Sequence, residues 1–191
     1  MSHALPGSAR LCPLLVKLDE DLADLARQRG CPCGGVLHRA NYPRKPKGLP
    51  VEAEPSWSRR HSFCCDREGC RKRLTPQSVR FLGRKVYAGF VVLLVSALRH
   101  GATPRRMRQL RAVLGVDRRT LVRWRCWWRE AIPATPWWKL AAARLVRPVD
   151  AACLPRGLLA SFMERGTDRL IAVLKFLAPL STLSPPCDPA F

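Results

Sequence analysis

Apolar positions recur at helical spacing along most of the chain. Leu14, Leu18, Leu22 and Leu25 form a stripe that predicts an amphipathic helix over residues 13–29, stopped by Gly30. Its acids Asp19, Glu20, Asp21 and Asp24 read as a solvated face. From Val86 to Leu98 the chain is apolar almost without a break, with basic residues at both ends. A membrane span needs about 20 such residues, so this run predicts a central buried helix ending at Gly101. Met107, Leu110, Val113 and Leu114 make the next stripe, opened by the Thr103-Pro104 cap and closed by Gly115. Thr75-Pro76 carries the same opening signal.

Asp117 then caps a further helix reaching about Ala131. At about 100° per residue, Leu121, Trp124, Trp128, Ala131 and Ile132 share one arc, with Thr120 and Trp127 at its edge. Arg118, Arg119, Val122, Arg123, Arg125, Cys126 and Arg129 fill the other arc, which has five arginines and no acid. Such a helix anchors one side in a core and offers guanidinium forks to phosphates and guanine edges. With the apolar run it predicts a trihelical helix-turn-helix unit over residues 79–132. Residues 133–191 predict a C-terminal helical region and tail. Helices start at Pro136 (to about Val146), at Leu154-Pro155 and at Gly166, with apolar stripes Leu158, Leu159, Phe162 and Leu170, Ile171, Leu174, Leu177.

Charge sharpens this picture. Lys+Arg is 34 against Asp+Glu 14, a formal net charge of +20 in 191 residues, with 47% hydrophobic residues. The chain can bury a core, and its excess of arginine points to a polyanion partner. No secretory pattern opens the sequence, and nine unevenly scattered cysteines argue against an extracellular disulfide framework. A reducing cytoplasm, with association to the nucleoid, is the expected location.

The cysteines supply the second chemistry. Cys31-Pro-Cys33-Gly-Gly and Phe63-Cys64-Cys65-Asp-Arg-Glu-Gly-Cys70 read as two knuckles of a small β zinc ribbon over residues 30–78, separated by a basic, Pro-rich insertion. Cys31, Cys33, Cys65 and Cys70 are the expected ligands of a structural zinc ion, whose closed tetrahedron leaves no position for water. Cys64 competes with Cys65, because strand alternation aims only one of them at the metal. Cys65 is preferred, since Phe63 would then pack beneath the site. His38 and His61 are substitute ligands. Arg71, Lys72 and Arg73, with Arg44, Lys45, Lys47, Tyr42 and Trp57, can equally track a phosphate backbone or solubilise loops.

These motifs (CPCGG, FCCDREGC followed by RKRLTP, and LGVDRRTLVRW) resemble the N-terminal DNA-binding portion of bacterial insertion-sequence transposases and small transposase-related proteins of mobile elements. The resemblance covers about Gly30 to Ile132. It implies recognition of an element's terminal sequences, metal ligation by Cys31, Cys33, Cys65 and Cys70, and Arg118, Arg119 and Arg123 on the recognition helix. The first knuckle is one residue short, and no transposase catalytic domain is expected. Glu130, Asp150, Glu164, Asp168 and Asp188 lie on short helical or tail segments without a strand framework to hold two Mg²⁺ ions. The expectation is a mainly α, non-catalytic, sequence-specific binder of double-stranded DNA, with a second copy or a transposition component as partner. A stand-alone regulator, a compact Mg²⁺-dependent nuclease or transposase, and an RNA-binding zinc protein are the alternatives.

Overall fold

Residues 8–44, 55–82, 87–98 and 103–182 are described by the structure, a computed structural model. Helix α1 (Ser8–Gln28) starts five residues before the predicted Pro13, which lies inside it. Burial of Leu11 and Cys12 holds the added turn in place. The buried stripe of α1 is Leu11, Leu15, Asp19 and Ala23, four residues apart, whereas Leu14 and Leu25 of the predicted stripe are exposed. Gly30 ends the turn after α1 at φ +70°, a conformation costly for any residue with a Cβ.

Among the described residues five short strands follow: β1 (Leu37–Arg39), β2 (Tyr42–Pro43), β3 (Arg59–Arg60), β4 (Phe63–Cys65) and β5 (Arg73–Leu74). One antiparallel sheet has the order β1-β4-β5, with Leu37 opposite Cys65 and Phe63 opposite Leu74. β2 and β3 form a separate antiparallel pair, preceded at β3 by a 3₁₀ turn, Pro55–Ser58. No helix opens at Thr75-Pro76, contrary to the capping signal. The polar groups of residues 76–80 are taken up by Arg60, Asp19 and Ser181, which fix the segment as a buried, non-helical strap.

The apolar run becomes α2 (Gly89–Ser96), shorter than predicted and buried on every side. Gly101 lies outside the described residues, as do Val86, Lys45, Lys47 and the tail from residue 183. Helices α3 (Pro104–Leu114) and α4 (Arg118–Cys126) flank a three-residue turn. α4 runs on through a π turn, Trp127–Ala131, into α5 (Ile132–Ala134). Pro133 has no N–H for the Arg129 carbonyl, and the widened turn opens the ladder where that bond is lost. Then come α6 (Pro136–Ala142), α7 (Arg156–Ser161) and α8 (Gly166–Leu177).

The fold is therefore mainly α, with a small antiparallel cysteine knuckle. Two cores carry it. The larger joins Leu15, Trp57, α2, Trp124, Trp128, Leu158 and Leu174, so the C-terminal helices share the core of the helical pair. The smaller joins Ala23, Cys31, Leu37, Phe63 and Cys65. Among the described residues, no helix is long and apolar enough to cross a membrane.

Candidate metal knuckle and nucleic-acid face

The sheet β1-β4-β5 and two tight turns bring Cys31, Cys33, Cys65 and Cys70 together, with all four sulfurs within 4.8 Å of one another. The distances Cys33–Cys31, Cys33–Cys65 and Cys31–Cys70 are 3.4, 3.4 and 3.7 Å. Tetrahedral zinc with Zn–S bonds of ~2.3 Å sets sulfurs about 3.8 Å apart, so the donor set fits a four-thiolate metal ion. The first turn depends on its glycines. Gly34 has φ +81°. A Cβ on Gly35 would lie 2.5 Å from the Cys65 sulfur and 2.9 Å from Arg67 Cβ. The Gly35 N–H donates to the Cys33 sulfur at 3.4 Å. The second turn is closed by Cys70 N–H donating to the Arg67 carbonyl and by Gly69 at φ +81°. Asp66 ties the two turns, accepting from Val36 N–H at 2.8 Å.

The cluster favours a shared negative charge. The Gly35 N–H, then the neighbouring Cys31, Cys65 and Cys70 thiols, bring Cys33 down to about 6. For Cys65 the Arg67 N–H favours the thiolate, but burial and the three other cysteines outweigh it and push the thiol up to about 12. Phe63 is buried in the same small core as Cys31 and Cys65. Cys64 points away from the cluster, its thiol facing the Arg71 carbonyl at 3.6 Å. Neither histidine is needed. His38 lies exposed, 3.5 Å from Asp66, while His61 is buried elsewhere and held below its usual range by desolvation.

The turn between α3 and α4 is tight. Gly115 takes the left-handed conformation (φ 64°, ψ 21°), and its N–H returns to Arg111 O. Val116, fully buried, donates to Leu110 O, completing a Schellman-type close. Asp117 caps α4 by accepting from Thr120 N–H at 2.6 Å, and that bond holds its carboxyl below the usual range. Thr120, Leu121, Trp124 and Trp128 are buried, and Trp124 meets Tyr87 edge-on at 4.8 Å. Arg118, Arg119, Val122, Arg123, Cys126 and Arg129 are exposed on the opposite side. Arg123 reaches Thr120 Oγ1 at 3.3 Å. Arg125 is half-buried and donates to the Leu98 carbonyl, two residues past the end of α2, so it sits at the edge of this face. On α3, Val113 is exposed rather than part of the core stripe. Arg105, Arg108 and Arg111 are exposed too.

Trp57 is a core residue at 2% exposure, edge-on to Phe90, so it cannot stack on a nucleobase. Tyr42 is half-buried, with the Arg44 and Arg73 guanidiniums 5.5 and 5.7 Å from its ring. Sequence reasoning placed Asp19 in solvent, but it is 1% exposed and pairs with fully buried Arg80 at 2.7 Å. Arg80 also donates to the Ser56 and Arg59 carbonyls at 2.8 and 2.9 Å. Among the described residues the four cysteines are the one cluster of metal-ligating side chains. Asp150 caps the 3₁₀ turn Ala151–Cys153, and Glu164 and Asp168 lie exposed near the start of α8.

No family model, curated protein or solved structure matches the chain.

Proposed function

We propose that the chain is a sequence-specific binder of double-stranded DNA, built as a helix-turn-helix beside a structural zinc knuckle. One observation carries the reading. α4 with its π-turn extension is capped at Asp117, buries Leu121, Trp124 and Trp128, and leaves Arg118, Arg119, Arg123 and Arg129 exposed on its other side. From Arg118 to Arg129 this face runs roughly 16 Å at 1.5 Å per residue, enough to cross a major groove about 12 Å wide. Arg118, Arg119, Val122 and Arg123 would face base edges; Arg125 and Arg129 would serve the flanking phosphates. Exposed Arg105, Arg108 and Arg111 on α3 supply further backbone contacts.

Zinc is the metal proposed for Cys31, Cys33, Cys65 and Cys70, in a structural role. Thiolate donors at tetrahedral spacing suit it. It would tie the two turns together and neutralise part of the thiolate charge. The wider setting proposed is a transposase-related protein without its own catalytic centre, and it rests on the motif resemblance alone. Selection from pooled random duplexes at two salt concentrations, with zinc measured on the same preparation, tests the reading. A discrete selected motif and about one zinc per chain are expected. Salt-sensitive but unselective binding would leave only a basic protein. Preference for single-stranded RNA, or Mg²⁺-dependent cleavage lost on changing Asp150, Glu164 or Asp168, would overturn it in favour of the RNA or nuclease alternative.

A further inference from the structure

A cleft of about 410 Å³ opens between α6 and the α7–α8 connection, lined by Trp137, Val146, Phe162, Met163 and Phe176. Its floor is stiff, because Phe176 meets Trp137 and Phe162 edge-on at 5.4 and 5.8 Å. Its rim is unusually apolar for so charged a chain. Val146 is 92% exposed and Met163 73%. Arg144 and Glu164 also line the cleft, and neither has an ion-pair partner among the described residues.

We propose that this cleft is the interface between two copies of the chain. Met163 of each copy enters the aromatic cleft of the other, and Arg144 pairs with the partner's Glu164. A two-fold contact sets one patch against itself, so the patch must be complementary to itself. Here a projecting side chain, a cavity, a cation and an anion lie within one patch. Local charge, not net charge, favours a second copy, because Arg144 and Glu164 lie on the same cleft and can pair reciprocally across a two-fold. Chains of net charge +20 repel one another, so copies meet only where apolar surface and an acid offset that repulsion. An acidic partner protein would instead be drawn to the arginine faces. Exposed apolar side chains gathered on a monomer are a mark of such interaction sites.

Sedimentation velocity of the full, zinc-loaded chain without DNA tests this, at about 0.3 M salt to screen long-range repulsion. The expected mass is twice the 21.5 kDa of one chain. Met163→Asp, at a largely exposed position, should give a monomer with unchanged circular dichroism. Arg144→Glu should weaken the dimer at least about tenfold, and adding Glu164→Arg should restore it. A wild-type monomer up to about 100 µM, a dimer indifferent to Met163→Asp, or a double reversal no better than the single one would overturn the proposal.

Discussion

Replacing Trp124 by alanine should separate the two sides of α4 in one experiment. Its indole is 4% exposed, and its ring meets Tyr87 at 4.8 Å and 83°. Removing a buried tryptophan costs about 3–5 kcal/mol, of which the aromatic pair accounts for about 0.5–1.5 kcal/mol. That is a large part of the 5–15 kcal/mol typical of a whole domain. In a chain of this size each kcal/mol lowers the melting temperature by about 2–4 °C, so Trp124→Ala should melt roughly 6–20 °C below wild type. Arg118→Ala and Arg123→Ala, at exposed positions, should stay within about 0.5 kcal/mol of wild type. Their effect should appear in binding. Loss of a phosphate contact lowers the salt slope by about 1, and loss of a base contact costs about 1–3 kcal/mol with relaxed preference at one position. Thermal melts and salt-titrated DNA binding of the three variants provide the assay. Equal destabilisation by all three, or arginine variants that bind as wild type, would refute the assignment of faces.

The knuckle, the buried ion pair and the buried histidine give further expectations. Cys65→Ser should abolish one-to-one zinc retention in metal analysis, whereas Cys64→Ser, whose thiol faces Arg71, should retain it. Gly35→Ala should also lose zinc, because the added methyl meets the Cys65 sulfur at 2.5 Å. Asp19→Asn leaves Arg80 buried without its carboxylate and should destabilise the fold by about 3–5 kcal/mol in urea titrations. His61 is held below its usual range by burial. Below its ordinary value of about 6.5 the unfolded chain therefore takes up a proton that the folded chain refuses, and stability falls as pH drops. His61→Gln should flatten stability against pH in that window in denaturant melts.

The sequence speaks clearly wherever one local rule decides a feature. Strand alternation separates Cys65 from Cys64, glycines mark both knuckle turns, and Thr103, Gly115 and Asp117 bound the helical pair by short-range hydrogen bonds. The same signal misleads at Thr75-Pro76, where long-range partners claim the backbone before a helix can. Periodicity placed only part of the buried side of α1: Leu18 and Leu22 pack against the larger core, while Leu14 and Leu25 are exposed. The most buried positions are Leu11, Leu15, Asp19 and Ala23, and a carboxylate in a buried stripe does not count as apolar. The four-residue spacing of these positions was present in the sequence; what made Asp19 belong to it is Arg80, 61 residues away. In a chain with 34 basic residues, nothing local distinguishes Arg80, the one arginine that is fully enclosed among the described residues. Trp57 of the basic insertion, 2% exposed, is hidden from local reading in the same way.

That enclosed arginine accounts for how so small a knuckle is held to the helices. Its own core has few members, Ala23, Cys31, Leu37, Phe63 and Cys65, too few to fix its orientation by burial. Arg80 spends its guanidinium on three elements at once: the Asp19 carboxylate of α1, the Ser56 carbonyl of the 3₁₀ turn and the Arg59 carbonyl of β3. Trp57 and Phe81 lie 5.8 and 5.3 Å from it, and Trp57 joins the pair to the larger core. Asp19 in turn accepts from Ser78 and from Val79 N–H. Arg60, 3% exposed, donates to the Pro76 carbonyl. A buried pair of this kind contributes little net stability over an apolar filling. It is strongly directional, however, and each bond is lost if the strap or β3 shifts by an ångström or two. We therefore expect Asp19→Asn to loosen the knuckle's position on the helices more than its metal site. Amide exchange should rise across residues 55–62 and 76–82 while one zinc per chain is retained; loss of zinc instead would mean that the pair supports the knuckle's own fold.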